Sequence, residues 1–141
     1  MPTMRTALFP IGGQILTGLA CLIGGAALAQ GARLAMLDRL TPGLWEIRMR
    51  DGGGPAERVC LDDGRRLIQL RHPNQVCRQF VVEDGPASVT VHDTCPGQGS
   101  GRTHLRFETP QLVQIESTGF ASQLPFDFVA EARRTGDCGK T

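Results

Sequence analysis

The sequence contains no tyrosine, one tryptophan and a single lysine, Lys140, among its 141 residues. Aromatic residues make up only 5% of the chain, so Trp45 is the largest single apolar side chain available to a core. An excess of charge of one sign is also missing, since the formal net charge is +1. A nucleic-acid-binding domain usually carries clustered Lys and Arg, so this balance argues against nucleic acid as a partner.

Signatures of nucleophilic catalysis and of phosphate binding are absent as well. Hydrolases with a nucleophile elbow place their serine in a Gly-x-Ser-x-Gly motif, which does not occur in this sequence. The glycine-rich residues 97–101 lack the lysine of a phosphate loop, and we predict that they form a plain turn. We therefore expect a protein that is not an enzyme, with no catalytic residues and no cofactor.

The N-terminal residues have the pattern of an export signal. Residues 1–29 carry one charge, Arg5, followed by a long apolar run that ends in Ala27-Leu28-Ala29. A positive start, an apolar middle and small residues before the cleavage site define a secretory signal peptide. The predicted cut lies between Ala29 and Gln30, which leaves residues 30–141 as one periplasmic domain.

Two other interpretations of this N-terminal segment are weaker. An uncleaved membrane anchor is disfavoured because Pro10 and two Gly-Gly pairs make a poor helix. Lipid attachment at Cys21 is disfavoured because the residues after it stay apolar. Cleavage removes only one charged residue, Arg5, so the mature chain has 14 basic and 14 acidic side chains. We expect no membrane span after cleavage.

An even number of cysteines in a short exported chain predicts a disulfide framework. Four remain after cleavage: Cys60, Cys77, Cys95 and Cys138. Three pairings are open to them. We favour Cys60–Cys77, which closes a short loop around a predicted helix, together with Cys95–Cys138, which ties the chain end to the sheet.

Alternation of apolar and polar residues predicts a mainly β fold. Trp45, Ile47 and Met49 share one face of the first strand, and the strands that follow are predicted at 57–61, 77–82, 87–92, 102–108, 112–120 and 126–134. One short helix is predicted after Asp62 and Asp63. Because the connections are short, we expect an antiparallel meander of about seven strands that curls into a partly open barrel or cup.

Several short motifs occur in a recognisable order along the chain. They are Pro42-Gly43-Leu44-Trp45-Glu46, Val59-Cys60-Leu61 after a Gly/Pro-rich turn, Cys95-Pro96-Gly97, and Gly136-Asp137-Cys138. With these motifs the mature chain resembles the family called domain of unknown function 3617. The resemblance implies a small exported protein of Gram-negative bacteria with a cysteine framework, and it transfers no catalytic residues because the family has no established activity. The chain departs from the family where Arg133-Arg134-Thr135 replace an aromatic residue before the last cysteine motif.

Histidines and cysteines provide one candidate for metal binding, comprising His72, Cys77, His92, Cys95 and His104. The spacing matches no tight ligand motif, and disulfides would consume the thiols. We predict that His92 and His104 are solvated residues on polar strand faces and that the protein has no metal site. Metal carriage through these two histidines is kept as a weaker alternative.

Two functional hypotheses follow. In the first, the protein is a binding or interaction module whose curled sheet holds a small apolar ligand or a segment of an envelope protein. The predicted lining of its cavity consists of Trp45, Leu105, Phe107, Phe126 and Phe128. In the second, it is a structural or envelope-stress protein with a solid core that acts through an exposed edge strand.

Overall fold

A computed structural model describes residues 33–51 and 54–139 of the chain. These residues form seven strands and two short 3-10 helices, at Leu37–Arg39 and Gly64–Gln69. The strands are β1 (Gly43–Met49), β2 (Glu57–Leu61), β3 (Arg78–Asp84), β4 (Ser88–Cys95), β5 (Gly99–Thr109), β6 (Leu112–Ala121) and β7 (Leu124–Gly136). The predicted signal peptide, residues 1–29, lies outside the described residues.

All seven strands belong to one antiparallel sheet with the order β2-β1-β7-β6-β5-β4-β3. The predicted mainly β, antiparallel fold is confirmed. The sheet is open, because β2 and β3 stand at opposite edges and do not pair with each other. The predicted helix after Asp63 is a 3-10 helix, whose first turn is capped by the Asp63 carboxylate accepting a hydrogen bond from the Arg65 backbone N–H at 2.9 Å.

One face of the sheet is buried beneath the two 3-10 helices. The register of β5, β6 and β7 aligns Leu105, Ile115 and Ala130 across this face, and all three are fully buried. Leu37 and Leu67 from the helices complete the core over the strands. Burial of this apolar area, at about 25 cal/mol per Å² removed from water, is the main force that holds the helices on the sheet.

Trp45 lies at the centre of the core, as the alternation in β1 predicts. Its side chain is 0% exposed, and its indole N–H donates a hydrogen bond to the Thr41 carbonyl at 3.1 Å. Gly43 begins the strand with φ +146°, and a Cβ at this position would collide with the Gly136 carbonyl oxygen on β7. Glycine is therefore required where β1 and β7 approach most closely.

Cys60, Cys77, Cys95 and Cys138 all form disulfides, but the favoured pairing is wrong. Cys60 is bonded to Cys138, and Cys77 to Cys95. Cys60 lies on β2 and Cys77 directly precedes β3, so the two are at opposite edges of the sheet and cannot meet. Strand register explains the observed pairs, because β1 stands between β2 and β7 and brings Cys138 to Cys60, while β3 runs antiparallel beside β4 and brings Cys77 to Cys95.

A smaller correction concerns the glycine-rich residues 97–101, predicted to be a plain turn. The turn ends at Gln98, and β5 begins at Gly99, which pairs with Cys95 on one side and Ala121 on the other. Alternation could not reveal this part of the strand because glycine has no side chain to show it. In the portion of the chain that is described, helices are too short to cross a bilayer.

Candidate functional site

The buried face of the sheet becomes polar toward the end that carries the Cys77–Cys95 disulfide. One row across the strands contains Asp93, Gly101, Gly119 and Phe126, in register on β4, β5, β6 and β7. The neighbouring row toward the centre of the sheet is mixed: Val91, Thr103, Ser117 and Phe128. A small polar cluster is thus built into one end of an otherwise apolar core.

The cluster is centred on a buried histidine and a buried carboxyl group. His72 Nδ1 lies 3.2 Å from Asp93 Oδ2, and the two side chains are only 4% and 1% exposed. His72 Nε2 lies 3.0 Å from the Phe120 carbonyl oxygen. That oxygen can only accept, so Nε2 carries a proton and donates it.

Nδ1 and the Asp93 carboxyl oxygen are within hydrogen-bond distance, and a hydrogen bond between them requires a proton on one of these two atoms. Desolvation by burial raises the pKa of Asp93 above its usual value, and the neighbouring His72 acts in the opposite direction. The burial effect is the larger of the two. His72 and Asp93 therefore form one hydrogen-bonded unit in a dry environment.

Two glycines leave the space that this unit requires. A Cβ on Gly101 would lie 2.9 Å from Asp93 Oδ1, and a Cβ on Gly119 would lie 2.9 Å from Cζ of Phe126. The Phe126 ring packs edge-on against the His72 ring, with 6.0 Å between the ring centroids. Larger residues at either glycine would displace the aromatic ring or the carboxyl group.

The Cys77–Cys95 disulfide adjoins the pair. Cys95 Sγ lies 3.3 Å from Asp93 Oδ2, and Cys95 is 2% exposed. Potential ligand atoms of His72, Asp93 and Cys95 all lie within 4.8 Å of one another, which makes them the one such group of three among the described residues. His72 and Cys95 are among the candidate ligands predicted from the sequence, but Asp93 is not. Nor does the sequence predict that His72 is buried, because this residue follows a 3-10 helix and nothing near it in the sequence indicates burial.

The other two histidines lie on the opposite, outer face of the sheet. His92 is exposed, and His104 Nδ1 is 2.9 Å from the Thr90 hydroxyl group, which in turn donates to Glu83 at 3.0 Å. The structure therefore does not bring His92 or His104 together with His72. The placement of both histidines on the polar face agrees with the prediction that they are in contact with solvent.

The five residues predicted to line a ligand cavity pack in or against the core. Trp45, Leu105 and Phe128 are 0%, 0% and 5% exposed, while Phe107 and Phe126 are partly buried at its margin. Four surface pockets of about 130 to 320 Å³ have other linings. The packing favours the solid core of the second hypothesis over the lined cavity of the first.

The surface feature nearest the polar cluster is the edge strand β3. It pairs with β4 on one side only, and the Cys77–Cys95 disulfide links the residue just before β3 to the last residue of β4. Phe80 is 71% exposed and Val82 is 46% exposed on this strand. An unpaired edge with exposed apolar side chains is a template for pairing with another extended chain.

No family model, curated protein or solved structure matches the chain.

Proposed function

We propose that the chain is an exported, non-enzymatic interaction module that binds an extended segment of a partner protein along β3. The observation that carries the proposal is the unpaired edge of β3 with the exposed side chain of Phe80. Addition of a strand to a sheet edge gives affinity through main-chain hydrogen bonds and specificity through alternate side chains. The solid core supports this role, because a rigid sheet presents its edge in one conformation.

The outer face beside Phe80 indicates the chemistry of the partner. Phe80 is opposite His92, which is opposite Arg102, so these three side chains form one row across the outer face. Arg78 lies on the same face two residues before Phe80. A complementary segment would place an apolar residue against Phe80 and an acidic residue two positions away, against Arg78.

Export to an oxidising compartment is part of the same proposal. Two disulfides fit an oxidising location, and residues 1–29 have the composition of a signal peptide. The periplasm and membership of the domain of unknown function 3617 family are proposed on the N-terminal pattern and on the ordered motifs. Mass spectrometry of chain recovered from the periplasm should give the mass of residues 30–141 with two disulfides.

Two synthetic hexapeptides test binding at the edge. Both have a valine with a charged residue two positions away on the same face, and this charged residue is glutamate in one peptide and lysine in the other. We expect the acidic peptide to shift backbone amide resonances of β3 and the basic peptide to have little effect. Phe80→Ser should weaken binding, while Leu124→Ser is a matched control because both residues are 71% exposed and Leu124 lies on β7. Failure of both peptides to bind, equal binding of both, or shifts centred away from β3 would contradict the proposal.

A further inference from the structure

We propose that His72, Asp93, Cys77 and Cys95 form a site for a divalent metal ion of the zinc type, which becomes available when the Cys77–Cys95 disulfide is reduced. This site is independent of partner binding at β3. It rests on the geometry of the polar cluster, on its burial and on the hydrogen bond that orients the histidine.

The distances are close to those of a coordination shell. Zinc binds nitrogen, oxygen and sulfur at about 2.0 to 2.3 Å in tetrahedral sites, so neighbouring ligand atoms lie roughly 3.3 to 3.8 Å apart. His72 Nδ1 and Asp93 Oδ2 are 3.2 Å apart, just below this range, and Cys95 Sγ and Asp93 Oδ2 are 3.3 Å apart, at its lower end. All three ligand atoms lie within 4.8 Å of one another, so a small movement would bring them around one ion. Cys77 is bonded to Cys95, so reduction places a fourth ligand beside the other three.

The second nitrogen of His72 has the partner that a ligating histidine usually has. Metal-bound histidines almost always donate their other ring N–H to a carboxylate, a carbonyl or water, which fixes the ring and its tautomer. Nε2 of His72 donates to the Phe120 carbonyl at 3.0 Å, which leaves Nδ1 directed at Asp93. A metal ion would replace the single proton between Nδ1 and Oδ2.

The disulfide can be reached from one side. Cys95 is buried, whereas Cys77 is partly exposed and follows Val76, which is 92% exposed. A dithiol reductant would attack at Cys77, form its own disulfide, and pass two electrons and two protons to the two cysteine sulfurs. Binding of the ion then releases the two thiol protons and the proton shared by His72 and Asp93.

The second disulfide provides an internal comparison. Cys60 and Cys138 have the same sulfur chemistry, but the described residues place no histidine and carboxylate together with them in a group of potential ligands. Reduction of both disulfides should therefore create one metal site per chain. Two sites of equal affinity would mean that thiol pairs bind metal without help from His72 and Asp93.

Anaerobic titration with Co²⁺ and then Zn²⁺ tests the site in chain reduced by a phosphine. We expect one Co²⁺ per chain, thiolate charge-transfer bands with the visible bands of a tetrahedral ion, and displacement by Zn²⁺. The oxidised protein should show none of these. His72→Gln and Asp93→Asn should each weaken binding by about tenfold or more, Cys77→Ser/Cys95→Ser should abolish it, and the surface variant His92→Gln should leave it unchanged.

Absence of binding in folded, reduced chain would overturn the proposal. So would binding of equal strength in the oxidised protein, or in the His72→Gln and Asp93→Asn variants. Folding is monitored by the fluorescence of Trp45, the one tryptophan. If reduction alone unfolds the chain, Zn²⁺ should restore the Trp45 emission of the folded state in the wild type but not in His72→Gln. If Zn²⁺ does not restore this emission in the wild type, the proposal is overturned.

Discussion

The two disulfides should stabilise the fold unequally, and the difference follows from how they are connected. Cys60–Cys138 spans 78 residues and Cys77–Cys95 spans 18. Loop-closure entropy in the unfolded chain assigns about 4.5 kcal/mol to the longer loop and about 3.2 kcal/mol to the shorter one. Removal of the longer cross-link should therefore destabilise the protein by about 1.3 kcal/mol more, close to a tenfold change in the unfolding equilibrium.

Urea denaturation of the double variants Cys60→Ser/Cys138→Ser and Cys77→Ser/Cys95→Ser measures this difference. Trp45 is a suitable probe because it is fully buried in the folded state and its emission changes on exposure to water. Marginal stability of about 5 to 15 kcal/mol is typical of small domains, so either loss is a large fraction of the total. A greater loss from the Cys77/Cys95 variant would contradict the loop-entropy reasoning.

The single variant Cys60→Ser tests the connectivity itself. The structure predicts that its free thiol is Cys138, whereas the pairing favoured from the sequence predicts Cys77. Alkylation under non-reducing conditions, followed by peptide mass mapping, distinguishes the two. Label on Cys77 with an intact Cys95–Cys138 bond would refute the strand arrangement that places β2 and β3 at opposite edges.

Three further changes have defined outcomes. Trp45→Ala removes a side chain that is 0% exposed and should cost about 3 to 5 kcal/mol, measured by circular dichroism; a loss under about 1 kcal/mol would mean that the ring is not in the core. Asp93→Leu leaves Nδ1 of His72 buried without a partner and should lower the free energy of unfolding, measured in urea, by about 1 to 3 kcal/mol. Asp93→Asn keeps a polar partner for Nδ1, so an Asp93→Asn protein less stable than Asp93→Leu would contradict this reasoning. The pKa of Glu83 is lowered, and the largest cause is the hydrogen bond from the Ser88 hydroxyl group. The ionised Glu83 carboxylate therefore stabilises the fold at pH values above its pKa in the unfolded chain, and this stabilisation is lost as the pH falls through its pKa in the folded protein. Glu83→Gln should flatten the acid limb of a Tm-against-pH curve, and an unchanged slope would refute the assignment.

The sequence predicted most strand positions because alternation records which residues face the core. Trp45, Ile47 and Met49 lie on the buried side of β1, and β2 occupies Glu57–Leu61 as predicted. In a half-buried strand every second side chain faces the core, so apolar residues recur at every second position. This alternation is local and can be read directly from the amino-acid sequence. Gly99 and Gly101 have no side chains to alternate, so the sequence did not predict that β5 begins at Gly99.

Disulfide connectivity and the His72–Asp93 cluster could not be predicted in this way. The Cys60–Cys138 bond depends on strand order, because β1 pairs with both β2 and β7, which are far apart along the chain. The Cys77–Cys95 bond follows from the register of the β3–β4 hairpin, and His72 reaches Asp93 from a segment outside the sheet. The favoured Cys60–Cys77 bond was wrong because proximity in sequence was taken for proximity in space, although these residues lie at opposite edges of the sheet. His72 is buried because β4 places Asp93 beneath it, far from it along the chain.

The amino-acid order alone determined the β class, the buried face of each strand and the involvement of four cysteines in disulfides, because these follow from local periodicity and composition. Tertiary structure decided which cysteines meet, which strand is left at the edge and which histidine is enclosed with a carboxyl group. Those outcomes arise because β7 pairs with β1 and β3 is left with one unpaired edge. Pairing between β1 and β7 joins residues that are far apart along the chain, so no short stretch of the sequence indicates it.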